Sequence, residues 1–239
     1  MSDIIFRSDV TVRLVRSAAT DGDVVFAARV STQGERSFEH AGAQATERDR
    51  GLIRYLLRER HGSPFENTSF TFAVEAPIFV FREFMRHRIA SYNEESGRYR
   101  ELRPVFYVPG ADRDLVQVGK PGAYTFEPGT AAQHDLVETS VRTQSEAAYR
   151  AYREMLEAGV AREVARTVLP LNLFSSMYVT MNARSLMNFL SLRTAREGSR
   201  FPSYPQREIE MVAEQMEDSF RGAMPITHSA FDDGGRIAP

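Results

Sequence analysis

The sequence predicts an α+β fold: a single mixed domain with an antiparallel-type sheet and a helix-rich second half. Short stretches of alternating apolar and polar residues lie in the first half, and longer stretches with apolar residues every three to four positions fill the second. No repeat, low-complexity block or long linker interrupts the 239 residues, so one domain is expected over 1–239, with 222–239 as a C-terminal tail.

Asp9–Val15 alternates Val10, Val12 and Leu14 with polar neighbours and reads as a strand. Asp23–Arg29 reads as a short helix. Thr46–Arg60 opens on a Thr-x-x-Asp cap, Thr46 and Asp49, and then sets Leu52, Ile53, Leu56 and Leu57 on one helical face. His61-Gly62-Ser63-Pro64 should stop that helix, because glycine and proline do not continue it. Phe70, Phe72 and Val74 alternate as in a half-buried strand. Ile78–Arg88 could be strand or helix; the spacing of Phe79, Phe84 and Met85, with Pro77 before them, favours helix. Arg103–Val108 reads as a strand, and Pro109–Gly129 as a loop or hairpin. Helices are predicted over 131–158, 160–168, 181–194 and 205–221, and the tail from Pro225 to Pro239 as irregular.

Thirty Lys+Arg against 32 Asp+Glu give a net charge of −2, which argues against a surface that coats DNA or RNA. No apolar run approaches the ~20 residues of a membrane span. Met1–Phe6 lacks the basic start and apolar stretch of a secretory leader, so a cytoplasmic protein is expected. The chain contains no cysteine, which excludes disulfides, thiolate metal sites and every cysteine nucleophile. Lys120 is its one lysine, so bound anions must be held by permanently charged guanidinium forks.

The densest polar cluster runs from Arg82 to Arg100, with five arginines against three glutamates. Arginines beside hydroxyl and amide groups suit a phosphate or pyrophosphate, and the glutamates could hold the guanidinium groups or accept sugar and base hydrogens. The alternative is a solvated loop of weak surface ion pairs. Its core, Arg86-His87-Arg88-Ile89-Ala90-Ser91-Tyr92-Asn93-Glu94-Glu95-Ser96-Gly97-Arg98, has the form R-H-R-x-x-S-x-N-x-x-S-x-R. That pattern resembles the signature of the flavin-dependent thymidylate synthases. His61–Glu66, Ala161–Asn172 and Asn182–Arg193 are similar to three further blocks of that family, so the resemblance covers roughly residues 10–221.

The resemblance implies a homotetramer with sites at subunit junctions. It implies FAD as cofactor, dUMP as nucleotide, and 5,10-methylenetetrahydrofolate and NADPH as co-substrates, with no nucleic acid polymer and no membrane. By position, Ser63, Arg86, His87, Arg88, Ile89, Glu94, Asn182, Ala183, Arg184 and Asn188 would contact the flavin. Glu83, Arg86, Glu94, Glu95, Ser96, Gly97, Arg98, Arg166 and Arg193 would hold the nucleotide, with Arg193 stabilising the ionised uracil. Independently, methylation at uracil C5 usually starts from a cysteine thiolate adding to C6, a route closed to this chain; a flavin cofactor offers one without a protein nucleophile. Ser96 could serve as a nucleophile, but no histidine is an obvious activating partner in sequence, so it is read as a binding group.

Arg166, in an apolar setting and read as partly buried, could be a structural ion pair or a substrate contact; the resemblance favours the substrate. After Arg193 the family pattern is interrupted by Thr194–Pro202, and Tyr204 replaces a usual histidine. That departure motivates an alternative substrate, UMP. A silent nucleotide-binding protein is a third reading, opposed by the retention of Arg86, Arg98, Arg166 and Arg193 together. No metal site is expected, since His61 and His87 lack ligand spacing. His40, His134 and His228 are assigned to the surface or loops.

Overall fold

The computed structural model describes residues 3–40 and 42–239; Met1, Ser2, Ala41 and the side chain of His40 lie outside the described part. In chain order the first elements are β1 (Ile5–Arg7), β2 (Thr11–Ala18), α1 (Asp21–Gln33), α2 (Arg50–Arg58), α3 (Ser63–Glu66), β3 (Ser69–Pro77), α4 (Ile78–Phe84) and β4 (Ser91–Glu94). Then follow β5 (Val105–Tyr107), β6 (Val116–Lys120), β7 (Ala123–Glu127), α5 (Ala131–Glu157), α6 (Arg162–Ala165), β8 (Phe174–Met181), α7 (Ala183–Arg193), α8 (Arg207–Ala223) and α9 (Pro225–Asp233). The structure is mixed α+β. It divides into two compact units interleaved along the sequence: residues up to Thr11, Glu75–Phe84 and Glu94–Met177 form the first, and Val12–Val74, Met85–Asn93 and Tyr178–Pro239 the second.

In the first unit β1 pairs in parallel with β5, Phe6 opposite Phe106, and β6 and β7 form an antiparallel hairpin. Its core gathers Leu102, Phe106, Tyr149, Tyr152, Ala165 and Leu173. The two tyrosines also clamp a backbone: Tyr152 Oη accepts from Leu102 N at 3.1 Å and Tyr149 Oη donates to Leu102 O at 3.2 Å. Buried main-chain groups need such partners.

The four-stranded sheet has the order β2-β3-β8-β4. Within the second unit, the Thr71 and Thr180 hydroxyls meet at 3.0 Å between β3 and β8. Phe70, Phe72 and Val74 are buried on alternate positions, with Phe70 packed edge-on against Phe220 of α8. Helix α1 starts at a Thr20–Asp23 capping box. Asp21, buried at its first turn, accepts from Ile226 N and Thr227 N of α9 at 2.9 and 2.8 Å. A carboxylate there satisfies helix-start N–H groups and complements the helix dipole.

The predicted Thr46 and Asp49 capping box is present, although the first turn, Glu47–Asp49, is 3₁₀ and α2 proper follows it. The helix expected over Ile78–Arg88 ends at Phe84, and that over 160–168 splits into α6 and a 3₁₀ turn, Arg166–Val168. Two larger corrections concern β8 and the tail. The segment 174–181 is a strand rather than a connection before a helix at 181; Met177, Val179 and Met181 are buried on alternate positions. The tail expected to be irregular forms α9, because Asp21 caps it and Phe231, fully buried, anchors it. No helix among the described residues is long and apolar enough to cross a membrane.

Arg60 lies at φ +60°, with its N–H on Leu57 O (3.2 Å) and His61 N–H on Leu56 O (2.8 Å). This is the Schellman closure of α2 with arginine where glycine is usual. The left-handed region costs a Cβ-bearing residue roughly 1–2 kcal/mol, partly offset because glycine has more unfolded-state freedom to lose. Arg60→Gly is expected to raise the unfolding free energy by about 1 kcal/mol in a urea titration. A decrease would show that the Arg60 side chain contributes more than its backbone costs.

Candidate active site

In the second unit, α3 and α7 pack together and, with the N-cap of α7, carry half of the expected flavin contacts. Asn182 is the N-cap of α7, its Oδ1 accepting from Ser185 N at 2.9 Å. Ala183 is fully buried, and its N–H donates to Thr68 Oγ1 at 2.9 Å. Arg184 donates to Glu66 Oε1 at 2.5 Å and to the main-chain oxygen of Pro239 at 2.6 Å. Its guanidinium stem passes over Gly62, where a Cβ would stand 2.6 Å from Nε, so only glycine permits the approach. Ser63 is exposed at the start of α3, and Asn188 is exposed one turn along α7 from Arg184.

Arg193, on the last turn of α7, donates from Nε to His87 Nε2 at 3.0 Å. A ring nitrogen that accepts carries no proton, so His87 is the neutral tautomer protonated at Nδ1. Phe189 meets the imidazole edge-on at 4.9 Å, and Tyr92 Oη donates to His87 O at 2.6 Å. Burial pushes the Tyr92 phenol up to about 12, which keeps it a donor at neutral pH. Arg86, Arg88 and Ile89 are exposed, Ile89 by 74%.

The first unit holds most of the residues expected at the nucleotide. Glu94 ends β4; burial raises its carboxyl, the Glu95 charge acts the same way, and a hydrogen bond from Ser175 and the charge of Arg166 oppose them. Glu95 N–H donates to Ser176 O at 2.8 Å, and Ser96 O accepts from Tyr99 N at 3.0 Å in the following turn. Gly97 is buried, with a Cβ position 2.8 Å from Leu102 and 3.2 Å from Arg166 Cδ, so the arginine stem lies against bare backbone. Arg98 pairs with Glu163 at 3.0 Å, and a cavity of about 280 Å³ is lined by Arg98, Tyr99, Ala161, Arg162 and Glu163. Glu83 is half-buried on the last turn of α4.

The structure therefore gathers Glu94, Glu95, Ser96, Gly97 and Arg166 in one unit, and His87 with Arg193 in the other. Arg166 is a correction: it is exposed, as are Val164 and Val168, by 53% and 41% respectively, while only Ala165 and Leu169 of this run turn to the core. Phe189, with Leu186 and Leu190, reads from the sequence as core-facing on its helix and is fully buried; its contact with His87, and that of Tyr92, were not legible there.

Residues 13–226 match the family described as thymidylate synthase complementing protein. The chain belongs to this family. It is 62% identical to the flavin-dependent thymidylate synthase of Streptomyces coelicolor, over 99% of this chain and 96% of the relative. It is 60% identical to the protein of that name from Tropheryma whipplei, over 99% and 98%. Among solved structures it is similar to a UMP/dUMP methylase, PolB, from Streptomyces cacaoi, at 53% identity over 99% of this chain and 100% of that one. The TM-score is 0.89 for the form bound with 5-Br UMP and 0.92 for that bound with 5-Br dUMP.

Arg196, three residues after Arg193, belongs to a buried ionic cluster that the sequence did not reveal. Glu217 of α8, 1% exposed, accepts from Arg236 at 2.7 Å, Arg196 at 3.1 Å and the His228 ring at 3.2 Å. His228 is thus a correction: assigned to the surface, it is 6% exposed inside α9. Glu217, His228 and Asp232 have metal-ligand geometry among the described residues, but Arg236 Nη1 contacts both carboxylates and supplies the cation there.

Burial alone would raise the Glu217 carboxyl; hydrogen bonds from His228 and Arg236, with the charges of Arg236 and Arg196, outweigh it and hold the carboxyl at about 2 against an ordinary 4.5. A lowered folded-state value stabilises the fold above the ordinary range and loses that contribution as pH falls towards 2. The contribution is roughly 3 kcal/mol at neutral pH. Unfolding free energy should therefore drop between about pH 5 and 2 in the native chain and less steeply in Glu217→Gln; parallel profiles in urea titrations would sink this account.

Proposed function

We propose that the chain is a flavin-dependent thymidylate synthase, converting dUMP, 5,10-methylenetetrahydrofolate, NADPH and a proton to dTMP, tetrahydrofolate and NADP⁺. The observation that carries this is the match of 62% over 99% of the chain to a protein of that name. The donor set fits FAD: Arg86, Arg88 and Arg184 offer forks to a pyrophosphate, Asn188 an amide, and exposed Ile89 an apolar face. Ser63, His87, Glu94, Asn182 and Ala183 complete the flavin set. When bound, the flavin supplies hydride chemistry without a protein nucleophile, consistent with a chain that has no cysteine.

In this reading Arg98 and Arg166, with Arg86, hold the nucleotide phosphate. Glu83, Glu94 and Glu95 orient arginines or receive sugar hydroxyls, and Ser96 and Gly97 shape the turn beneath them. Arg193 faces the uracil edge, and its Nε bond to neutral His87 holds the guanidinium plane in place. Charge preorganised at the N3–O4 edge stabilises the ionised ring, which raises electron density at C5. The protein acts as a cytoplasmic homotetramer. Large apolar side chains exposed on the single chain, among them Tyr99, Leu171 and Phe201, support further burial on assembly.

Arg193→Ala is expected to lower dTMP formation by about 100-fold or more while the purified protein stays yellow. Wild-type turnover in that variant would remove Arg193 from the chemistry, and a colourless wild-type protein unable to take up FAD would overturn the flavin reading. UMP is a second substrate reading, favoured by the likeness to a methylase of both nucleotides. Side-by-side kcat/KM values are expected to favour dUMP; a preference for UMP would reverse the assignment.

A further inference from the structure

We propose that Arg236 is a positioning residue for Arg193, acting through Thr194; this rests on the reading in which Arg193 meets the uracil ring. Thr194 follows Arg193 directly and closes α7. Its N–H reaches Leu190 O at 3.1 Å, and its hydroxyl donates to the same carbonyl at 2.7 Å. The hydroxyl oxygen in turn accepts from Arg236 Nη2 at 3.0 Å, and Ser203 Oγ donates to Thr194 O at 2.6 Å. Thr194 is 1% exposed. The turn that carries Arg193 is therefore fixed on its inner side by a buried guanidinium, while Arg193 Nε is held by His87.

Arg236 is suited to act as a fixed point. It is 5% exposed, its guanidinium carbon lies 4.9 Å over the Phe231 ring, and Nη1 contacts Glu217 and Asp232. Its backbone sits at φ +60°, directly after Gly235 at +73°, an arrangement rarely kept by a residue with a side chain unless the surroundings impose it. Helix α9 before it is held at its start by Asp21, through Thr227 Oγ1 at 2.6 Å as well as the two N–H groups. Neutralising Glu217 and Asp232 uses only Nη1 of this residue, and Arg196 also faces Glu217. What Arg236 adds is a planar fork spanning from Glu217 to Thr194, which lysine, a single ammonium on a flexible stem, does not reproduce.

Two variants separate this role from folding. Thr194→Val removes the acceptor and leaves the ionic cluster intact; Arg236→Lys keeps the charge and removes the fork. In the FAD-loaded full chain both are expected to weaken dUMP binding about 10-fold in calorimetry without turnover, with flavin absorbance unchanged. Both should also shift the His87 ring nitrogen resonances in ¹⁵N spectra, which a loss of global stability alone would not move, and Thr194→Ser should restore both readouts. Native-like dUMP affinity, or His87 signals at their native positions, in the folded variants overturns the proposal. If Arg193→Ala is itself silent in binding and turnover, the reading of Arg193 has failed; if it is impaired while Thr194→Val is not, only the positioning role falls.

Discussion

A carboxylate withdrawn from water stays ionised only if cations come with it, and Glu217 imposes that requirement on three segments at once. It draws two cations, Arg196 from the loop after α7 and Arg236 from just beyond α9, and a ring nitrogen contact from His228 within α9. Asp21 is likewise a buried carboxylate, satisfied by main-chain donors at the start of α9 in place of cations. The last fifteen residues are thus tied at both ends to charges buried elsewhere in the same unit. Pairs of this kind confer little net stability over apolar packing, but removing one partner is costly, so they favour a single arrangement.

Helix α7 divides its side chains between support and presentation. Ala183, Leu186, Met187, Phe189 and Leu190 are buried, while Asn182 is spent on the cap. Arg184 and Asn188, four residues apart, share one less buried edge, while Arg193 at the last turn leaves the helix on another side. Phe189 serves both purposes, since it belongs to the buried face and also sets the imidazole that Arg193 contacts.

Both units use one device to seat an arginine. Gly62 lies beneath Arg184 and Gly97 beneath Arg166, each with a Cβ position inside contact distance of the guanidinium or its stem. Omitting a side chain lets a long cationic one lie flat on the backbone, which restricts its rotamers before any ligand arrives. In a chain whose cationic side chains are nearly all arginine, this gives particular guanidinium groups fixed directions while the others remain solvated.

Much of the fold was legible because periodicity reports burial directly. The alternation of Phe70, Phe72 and Val74, the Thr46–Asp49 cap and the helix of 131–158 all depend on neighbours in sequence. β8 was missed although Met177, Val179 and Met181 alternate, because Ser175 interrupts that apolar face and Ser176 and Thr180 make the opposite face polar. The arginine-rich motif and the absent cysteine determined the family and the class of chemistry, since both are properties of residue identity alone. Tertiary structure decided that Arg193 rests on a neutral His87, that Arg166 is exposed, and that His228 and Arg236 are buried around Glu217. Those outcomes join residues up to 106 positions apart, and no local pattern encodes which distant charges meet once water is excluded.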